Sequence, residues 1–563
     1  MKHSLLLFLI FLQTAVAQTP KYPQIEVAPL DIPLDLSATF GELRNNHFHS
    51  GIDFKTQQKE GLNVLATESG FVSRIKISIF GYGKAIYITH PNGYTSVYGH
   101  IQKFAPKIEE YIKKKQYEKK SYEIELFPKA SELPVTQAEL IAFSGNSGSS
   151  GGPHLHFEYR DTKTEFTINP FYFGLDKKVA DTKAPIINQL VAYPQNDNSS
   201  VNRSQLSVEI PLIPQKDGSY IASPVTAKNS IGFGINAYDI ANASYNQNGL
   251  YQVQSFLNGE KVFEYTFDQF SFDETRYINA FIDYKRFIEK DNRIQKLFTD
   301  NNIKLSLIKH QKNNGLIEIQ PNLNYNYRIE ISDFHGNKTT IYVPITYETE
   351  ALKITKPTEA PKGYLIKSKI DNHLAFEKAT VYMPANSFYQ DFYLQAEASD
   401  STFQLHNPTV PIHKNITLSF DVSQLKAEKL KGIFIAEKSG KKLNYIASTL
   451  KKKQLSAKIR NFGTFQMAQD TIAPQVKLIS LKEGERLVDK KTITVQIKDD
   501  LSCIATFNGY LNDQWILLEY DFKTNTLTYE VNPQAILPDK NFLKLVVTDN
   551  LGNSTTLETY FLK

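Results

Sequence analysis

The stretch GGPHLHFE, which runs from Gly151 to Glu158, carries two histidines one residue apart, His154 and His156. Alternate side chains of a β-strand point to the same face, so both imidazoles would face one side while Leu155 and Phe157 face a core. Taken alone, the pair fits a plain polar strand face as well as it fits a pair of metal ligands. Partners elsewhere in the chain must decide between the two.

A second motif, HSGID, places His49 and Asp53 four residues apart with Gly51 between them. Gly51 would let the backbone approach a neighbouring group closely. With His156, these residues offer three nitrogen or oxygen donors of the kind that Zn²⁺ accepts, leaving a fourth position for water. The pattern is typical of a catalytic zinc site, because structural sites are closed by four protein ligands, usually including cysteines, and this chain has one cysteine.

Two more histidines complete the set: His154, and His100 in the stretch VYGHI. A zinc hydrolase that uses zinc-activated water as its nucleophile also needs a base for the proton and a donor for the developing oxyanion. Imidazole can accept a proton and imidazolium can donate one. His100 and His154 therefore fit these two roles, in an order that the sequence leaves open.

Strand patterns surround these motifs. GLNVLATESGFVSRI, residues 61–75, predicts a strand, a tight turn and a second strand, and YGKAIYITHPNGYTSVYGHI, residues 82–101, predicts a hairpin that turns at Pro-Asn-Gly. KIEEYIKKKQYEKK, residues 107–120, predicts a solvated helix, with polymer binding by its lysines as the alternative.

In this order, HFHSGIDF, VYGHI and SGNSGSSGGPHLHFE resemble the lysostaphin and LytM-type zinc endopeptidases, whose signature is H-x-x-x-D, a separate histidine after a tyrosine, and a downstream H-x-H. GLNVLATESGFV also resembles a G-x-x-V-x-A-x-x-x-G-x-V segment of that family. The match covers about residues 38–172. The resemblance implies hydrolysis of peptide bonds in peptidoglycan, in stem-peptide cross-links or cross-bridges. It implies Zn²⁺ ligands at His49, Asp53 and His156 and a catalytic pair at His100 and His154.

Two features depart from the compact family pattern. An insertion at about residues 104–135 is expected to alter the wall of the cleft. His47 forms a further H-x-H with His49, and the spacing to Asp53 favours His49 as the ligand and leaves His47 at the rim. Tyr98, at the end of a predicted strand, either binds substrate in the groove or packs in the core.

Length and composition limit the class of protein. A chain of 563 residues should form about three to five domains, and its 31 Tyr and 36 Phe favour strands. A net charge of +5 gives no argument for a nucleic-acid partner. Residues 1–17 have the layout of a secretory signal peptide, with a short buried helix as the alternative, and no other run approaches the length of a membrane helix. We expect an exported protein, periplasmic or extracellular, without a transmembrane segment.

The single cysteine, Cys503, excludes an intramolecular disulfide, and we expect it to be a small buried hydrophobic residue.

An internal repeat organises the rest of the chain. DTKAPIINQLVAYP, which begins at Asp181, resembles DTIAPQVKLISLKEG, which begins at Asp470, and SDFHGNKTT around Asp333 resembles TDNLGNSTT around Asp549. The predicted fold class is mainly β: an N-terminal antiparallel β-sheet metallopeptidase domain followed by about three β-sandwich (Ig-like) modules. The expected boundaries are 18–178 for the metallopeptidase domain, 181–350 for an Ig-like sandwich with an insertion, 351–469 for a β module and 470–563 for a second Ig-like sandwich.

These observations favour an exported zinc endopeptidase that cleaves cell-wall peptide. One alternative is a catalytically silent scaffold that binds the wall or regulates another enzyme. In a third hypothesis, the C-terminal β modules carry the main function by binding a protein or glycan partner.

Overall fold

The computed structural model describes residues 21–242, 245–299, 303–356, 362–399, 401–487 and 490–563. The predicted signal peptide at 1–17 lies outside these residues. Strands predominate in the described chain and pair almost entirely in antiparallel fashion, which confirms the mainly-β fold class. None of the helices in the described ranges is long and apolar enough to cross a membrane.

An antiparallel sheet forms the centre of the N-terminal region, residues 21–180. Its strands, in the order in which they pair, are Leu36–Ala38, Ile52–Lys55, His154–Asp161, Tyr94–Gly99, Lys84–Thr89, Gly70–Ile77 and Ile124–Leu126, with Pro134–Val135 and Thr167–Ile168 as short additions. A smaller sheet contains Asn63–Leu65, Leu140–Ser144 and Ile101–Phe104, and Leu43–Arg44 forms a hairpin with His47–Phe48. The hairpin predicted within residues 82–101 is confirmed, whereas the two strands predicted within 61–75 belong to different sheets.

The register of the main sheet brings the distant histidine motifs together. His156 pairs with Asp53 on one neighbouring strand and with Gly99 on the other. Directly paired residues share a face, so the Asp53 and His156 side chains lie side by side. Leu155 and Phe157 point the other way and are completely buried, as predicted.

The lysine-rich segment forms an α-helix, Pro106–Lys119, whose Ile108 and Ile112 are buried. The expectation that this helix is merely solvated is wrong, because it also contacts the C-terminal repeat, residues 470–563. Lys113 Nζ lies 2.7 Å from Glu530 Oε2, and the Tyr117 ring packs edge-on against Trp515.

The first repeat, residues 181–350, is joined to the N-terminal region. Its main strands, in pairing order, are Val208–Ile210, Ile186–Pro194, Val225–Tyr238, Lys338–Tyr347, Asn324–Ser332, Gln252–Leu257, Glu260–Thr266 and Ile308–Gln311, with helices Ile278–Phe281 and Tyr284–Lys290. Strand Thr167–Ile168 of the N-terminal region pairs with Gln269–Phe270 of the repeat. Buried side chains of the two regions form one continuous hydrophobic cluster.

The remaining chain forms two further cores, and Leu517 of the C-terminal repeat is buried in the joint core described above. Residues 363–470 contain three sheets in their described part. Tyr364–Ile366 pairs with Phe392–Leu394, a second sheet contains Asn372–Ala375, Ala379–Met383, Ile416–Asp421, Gln454–Ile459 and Ser448–Lys451, and a third contains Ala396–Ala398, Phe403–Leu405, Gly463–Gln469, Ile433–Ser439 and Lys442–Ile446. The C-terminal repeat pairs Gln475–Leu478, Thr492–Lys498, Thr526–Glu530 and Glu519–Asp521 in one sheet and Gln514–Ile516, Ile504–Leu511, Lys540–Asp549 and Ser554–Leu562 in another.

The prediction of a buried Cys503 is wrong. Cys503 is exposed and lies in a turn with φ of 64°. Its backbone N–H donates to the Asp499 carboxylate at 2.7 Å, so the residue serves a turn rather than a core.

Phe48 links the N-terminal region to the first repeat, because its buried ring packs against Phe267, Phe270 and Phe281. We expect Phe48→Ala to lower the free energy of unfolding of this joint core by about 3–5 kcal/mol, since the lost packing leaves a cavity between two sheets. Scanning calorimetry of the full chain would measure it. Phe542→Ala, at an exposed site in the C-terminal repeat, is the control, and equal effects of the two changes would contradict a joint core.

Candidate metal centre

Three predicted ligands converge on one face of the main sheet, where Asp53 and His156 lie on neighbouring interior strands. His49 Nε2 lies 3.1 Å from Asp53 Oδ1 and 3.1 Å from His156 Nδ1, and His156 Nδ1 lies 2.8 Å from Asp53 Oδ1. All three residues are buried, and together they form a group of donor atoms that could hold a metal ion.

The outer hydrogen bonds of the two histidine rings define which nitrogens are free. His49 Nδ1 contacts the Thr39 carbonyl oxygen at 2.8 Å, and because a carbonyl only accepts, Nδ1 carries the proton. His156 Nε2 donates in the same way to Glu158 Oε1 at 2.8 Å. The inward nitrogens, His49 Nε2 and His156 Nδ1, are therefore the ones that face Asp53 and are available to a metal ion, and partners of this kind orient histidine ligands in metal sites.

This donor set fits a small divalent cation. Two imidazole nitrogens and a carboxylate oxygen are ligands that Zn²⁺ accepts, and ligands about 2.0–2.1 Å from a tetrahedral zinc lie about 3.3 Å apart. The observed separations of 2.8–3.1 Å come close to that spacing.

Charge at the centre points the same way. Burial raises the pKa of Asp53, but His49 and His156 outweigh it and hold this pKa well below its usual range. Burial lowers the pKa of His156, yet hydrogen bonds with Asp53 and Glu158 outweigh it and raise the pKa to about 9. The pocket thus stabilises positive charge between these residues.

His100 and His154 complete the cluster of five predicted site residues. Their ring centroids are 4.6 Å apart, and His154 Nε2 lies 3.6 Å from Asp53 Oδ1. His100 Nδ1 donates to the Ser147 carbonyl oxygen at 2.8 Å and His154 Nδ1 to the Gly152 carbonyl oxygen at 2.8 Å. Each ring therefore keeps Nε2 free of these loop contacts.

His100 occupies an unusual backbone position. Its φ is 59°, in the left-handed region that a residue with a side chain seldom adopts. The residue lies between strand Tyr94–Gly99 of the main sheet and strand Ile101–Phe104 of the smaller sheet, so the chain changes sheets at this point. Strain of this kind clusters at functional sites.

Glu158, Tyr82 and Ser50 support the centre and were missed by sequence reasoning. Glu158 follows His154 and His156 at every second position of one strand, so strand alternation could have placed it on the same face. Ser50 Oγ donates to Glu158 Oε1 at 2.6 Å, and the Tyr82 hydroxyl donates to the same oxygen. The Tyr82 ring also stacks on His156 with centroids 4.8 Å apart, a contact that no local pattern reveals.

The structure corrects one site residue and agrees with two other expectations. Tyr98 has no exposed surface and its hydroxyl accepts from the Thr67 backbone N–H at 3.0 Å, so the prediction that it lines the groove is wrong. His47 is exposed and its Nδ1 contacts the Asn45 carbonyl oxygen, outside the cluster. Gly51 does permit a close approach, because a Cβ there would lie 2.3 Å from the Phe157 carbonyl oxygen.

The C-terminal repeat reaches the neighbourhood of the site. Lys84 Nζ lies 2.9 Å from Glu519 Oε2, and burial, which lowers the pKa of Lys84, is outweighed by Glu519, which raises it. Lys523 Nζ donates to the Asn146 carbonyl oxygen, one residue before the Ser147 carbonyl that holds His100. The loop behind His100 therefore contacts a segment more than 370 residues away in sequence.

Comparison with known families agrees with the resemblance seen in the motifs. The profile of Peptidase family M23 matches residues 47–117, a segment that includes His49, Asp53 and His100. The profile of the Zu5-like domain matches residues 363–470. The family resemblance of the N-terminal region is thereby confirmed.

Curated relatives match a similar length of chain. Over 111 residues the chain is 32% identical to a protein named "Uncharacterized metalloprotease" from Haemophilus influenzae, covering 20% of this chain and 18% of that protein. Over 112 residues it is 32% identical to DD-carboxypeptidase/endopeptidase Mpg from Neisseria meningitidis serogroup B, covering 20% of each. The chain spans about a fifth of the length of these relatives.

Solved structures overlap about a quarter of the chain. The catalytic domain of lysostaphin from Staphylococcus simulans is 21% identical, with 25% of this chain and 91% of that chain covered and a TM-score of 0.19. A zinc-containing peptidase from Vibrio cholerae is 26% identical, with 23% and 35% covered and a TM-score of 0.18.

Glu158→Gln tests the outer hydrogen bond of His156. We expect the affinity for Zn²⁺ to fall about 10–100-fold with one binding site retained, because the ring loses the carboxylate that orients it. A competition titration against a chromophoric chelator would measure this affinity. His47→Ala is the matched control and should leave it unchanged, whereas a stronger effect of His47→Ala would show that the wrong histidine has been assigned.

Proposed function

We propose that the N-terminal region is a zinc-dependent endopeptidase that hydrolyses peptide cross-links of peptidoglycan, and that the protein is exported. The main support for this proposal is that His49, Asp53 and His156 converge on one point, with His100 and His154 beside them. The match of residues 47–117 to Peptidase family M23 supports hydrolysis of peptide bonds. The name DD-carboxypeptidase/endopeptidase of the Neisseria relative supports testing both cross-link cleavage and release of a terminal residue.

His49, Asp53 and His156 are the residues that would hold the metal. Zn²⁺ at such a site acts as a Lewis acid and makes water a nucleophile near neutral pH. The chain itself orients the two imidazoles, because Thr39 and Glu158 accept from the outer nitrogens and leave His49 Nε2 and His156 Nδ1 facing Asp53.

His100 and His154 would move the protons of the reaction. Both rings are fixed at Nδ1 by loop carbonyls, so a proton gained or lost during turnover resides on Nε2. Burial lowers the pKa of both rings, and that of His100 falls to about 3 with His154 and His156 as further causes. In a neutral ring Nε2 is open to a proton, and a ring that has accepted one can donate it to the oxyanion or leaving amine.

We expect His156→Ala to lose both zinc and activity, whereas His100→Ala and His154→Ala keep about one zinc per chain and lose about 10²–10⁴-fold in kcat. The measurements are zinc content by atomic spectroscopy and release of new peptide termini from purified peptidoglycan by chromatography. His47→Ala is the control for a histidine outside the cluster.

Each alternative predicts a different result. A pH–rate profile of each catalytic variant would show which histidine is the base, because its loss removes the acidic limb. One zinc per chain without cleavage of walls with different cross-bridges would refute the endopeptidase and favour the catalytically silent scaffold. Binding of wall fragments by the full chain carrying His156→Ala would favour a binding role of the β modules.

A further inference from the structure

A second group of buried acidic residues lies in the C-terminal repeat, far from the histidine cluster in sequence. Carboxylate oxygens of Asp470, Asp499 and Asp549 lie within 4.8 Å of one another. Asp470 precedes strand Gln475–Leu478, Asp499 follows strand Thr492–Lys498, and Asp549 ends strand Lys540–Asp549. Three strand ends thus bring three negative charges to one point.

The first repeat builds the same arrangement from different sequence. Asp181 corresponds to Asp470 and Asp333 to Asp549 in the repeated motifs, and ligand atoms of Asp181, Asp333 and His335 lie within 4.8 Å of one another. Asp239, which follows strand Val225–Tyr238 as Asp499 follows its own strand, lines the same cavity of about 20 Å³ as these residues, and its carboxyl group interacts with Asp181 and Asp333. This volume suits one water or ion.

An asparagine clamps each pair of aspartates in both copies. Asn337 Nδ2 donates to Asp333 Oδ2 at 2.6 Å and to the Asp181 carbonyl oxygen at 3.3 Å. Asn553 Nδ2 donates to Asp549 Oδ2 at 2.7 Å and to the Asp470 carbonyl oxygen at 3.2 Å. The two repeats therefore hold one carboxylate and the backbone of a second aspartate by matching hydrogen bonds.

Each cluster contains a buried carboxylate oxygen that the surrounding protein leaves unsatisfied. Asp470 is 2% exposed and, among the residues that the structure describes, its Oδ2 has no hydrogen-bond partner. Asp239 is 4% exposed and, within the same described ranges, its Oδ1 has none. An unpartnered buried carboxylate oxygen is costly, and here it recurs at both clusters.

Burial, and then the charges of Asp181 and Asp333, raise the pKa of Asp239 to about 8. Burial likewise raises the pKa of Asp499, with Asp470 and Asp549 as further charges that raise it. In each cluster, burial and the neighbouring carboxylates thus disfavour the negative charge of one aspartate.

We propose that each repeat binds one Ca²⁺ between its three aspartates: Asp181, Asp239 and Asp333 in the first repeat, and Asp470, Asp499 and Asp549 in the C-terminal repeat. Carboxylates are hard oxygen ligands of the type that Ca²⁺ prefers. Ca²⁺ accepts about six to eight oxygen ligands in flexible geometry, whereas Mg²⁺ demands a near-ideal octahedron and keeps several of its waters. Carboxylates gathered from separate segments of the chain therefore suit Ca²⁺.

Both sites lie where a repeat begins and the preceding region of the chain ends, which suggests a role in orienting the two. Asp181 follows the last turn of the N-terminal region, Leu175–Lys178, and Asp470 follows strand Gly463–Gln469 of the preceding β region. The Asp470 backbone N–H also donates to the Gly432 carbonyl oxygen of that region at 2.9 Å. A cation that ties the first residue of a repeat to its own sheet would fix its orientation to the preceding region.

The test uses the full chain carrying His156→Ala, which removes the N-terminal metal centre from the count. After treatment with a chelating resin, titration with Ca²⁺ by calorimetry should show two ions per chain, with affinities of about 0.1–1 mM as in extracellular modules. Calcium at a hundred times its Kd should raise the Tm of the repeats by about 5–10 °C.

Asp499→Asn and Asp239→Asn should each reduce the count to one ion. Without Ca²⁺ these variants should melt no lower than the parent chain, because each relieves carboxylate repulsion while an amide oxygen keeps the hydrogen-bond acceptor. Asp500→Asn is the matched control, since Asp500 is exposed and ion-paired with Lys498 outside the cluster, and it should keep two ions and the full Tm shift.

Three results would overturn the proposal. The first is the absence of calcium binding and of a Tm shift at about ten times the upper end of that affinity range. The second is a count of two ions in both aspartate variants. The third is an equal loss of Tm in these variants with and without Ca²⁺, which would show that the aspartates only support their turns.

Discussion

The N-terminal sheet holds His49 Nε2, Asp53 Oδ1 and His156 Nδ1 within 3.1 Å of one another, and lone pairs at this distance repel unless a proton or cation lies among them. The surrounding residues oppose the separation that would relieve this repulsion. Thr39 holds one ring and Glu158 the other. The arrangement therefore favours a positive charge between these three groups, and the chemistry of the site depends on that charge.

Glu158 extends this constraint beyond the ligands. Its carboxylate is fully buried and paired with Arg160 at 2.6 Å, and burial, which raises its pKa, is outweighed by Arg160 and His156, which lower it. The guanidinium of Arg160 in turn lies over the ring of Phe272 in the first repeat, 4.5 Å from its centroid. A chain of contacts therefore runs from the metal centre into the neighbouring β region.

The sequence was sufficient to predict the five residues of the cluster, because each of them lies in a short motif that can be recognised without knowledge of the fold. It was sufficient for Leu155 and Phe157 as well, since strand alternation is local. The prediction that Tyr98 lines the groove was wrong because of the strand register. Tyr98 pairs with Phe157 and faces the core, whereas Gly99 pairs with His156. The pairing of His156 with a residue of the hairpin depends on the register between two strands that lie about 60 positions apart in the sequence. A local sequence pattern does not contain this register.

The contacts between regions were equally beyond reach from sequence. A lysine-rich helix looks solvated when read alone, and only the folded chain shows Glu530 beside Lys113 and Trp515 beside Tyr117. The joint core around Phe48 likewise exists only because the fold brings Phe267 and Phe270 of the first repeat into contact with it. Such contacts join motifs more than 200 residues apart, so local periodicity carries no trace of them.

The two repeats contact the N-terminal region at different places around the histidine cluster. The first repeat contacts the side that carries His49, since its Gly249 backbone N–H donates to the Thr39 hydroxyl at 2.8 Å. The C-terminal repeat contacts the loop behind His100 through Lys523. The His49 side and the His100 side of the cluster are therefore contacted by separate copies of one repeat. The position of His49 relative to His100 thus depends on contacts with both repeats.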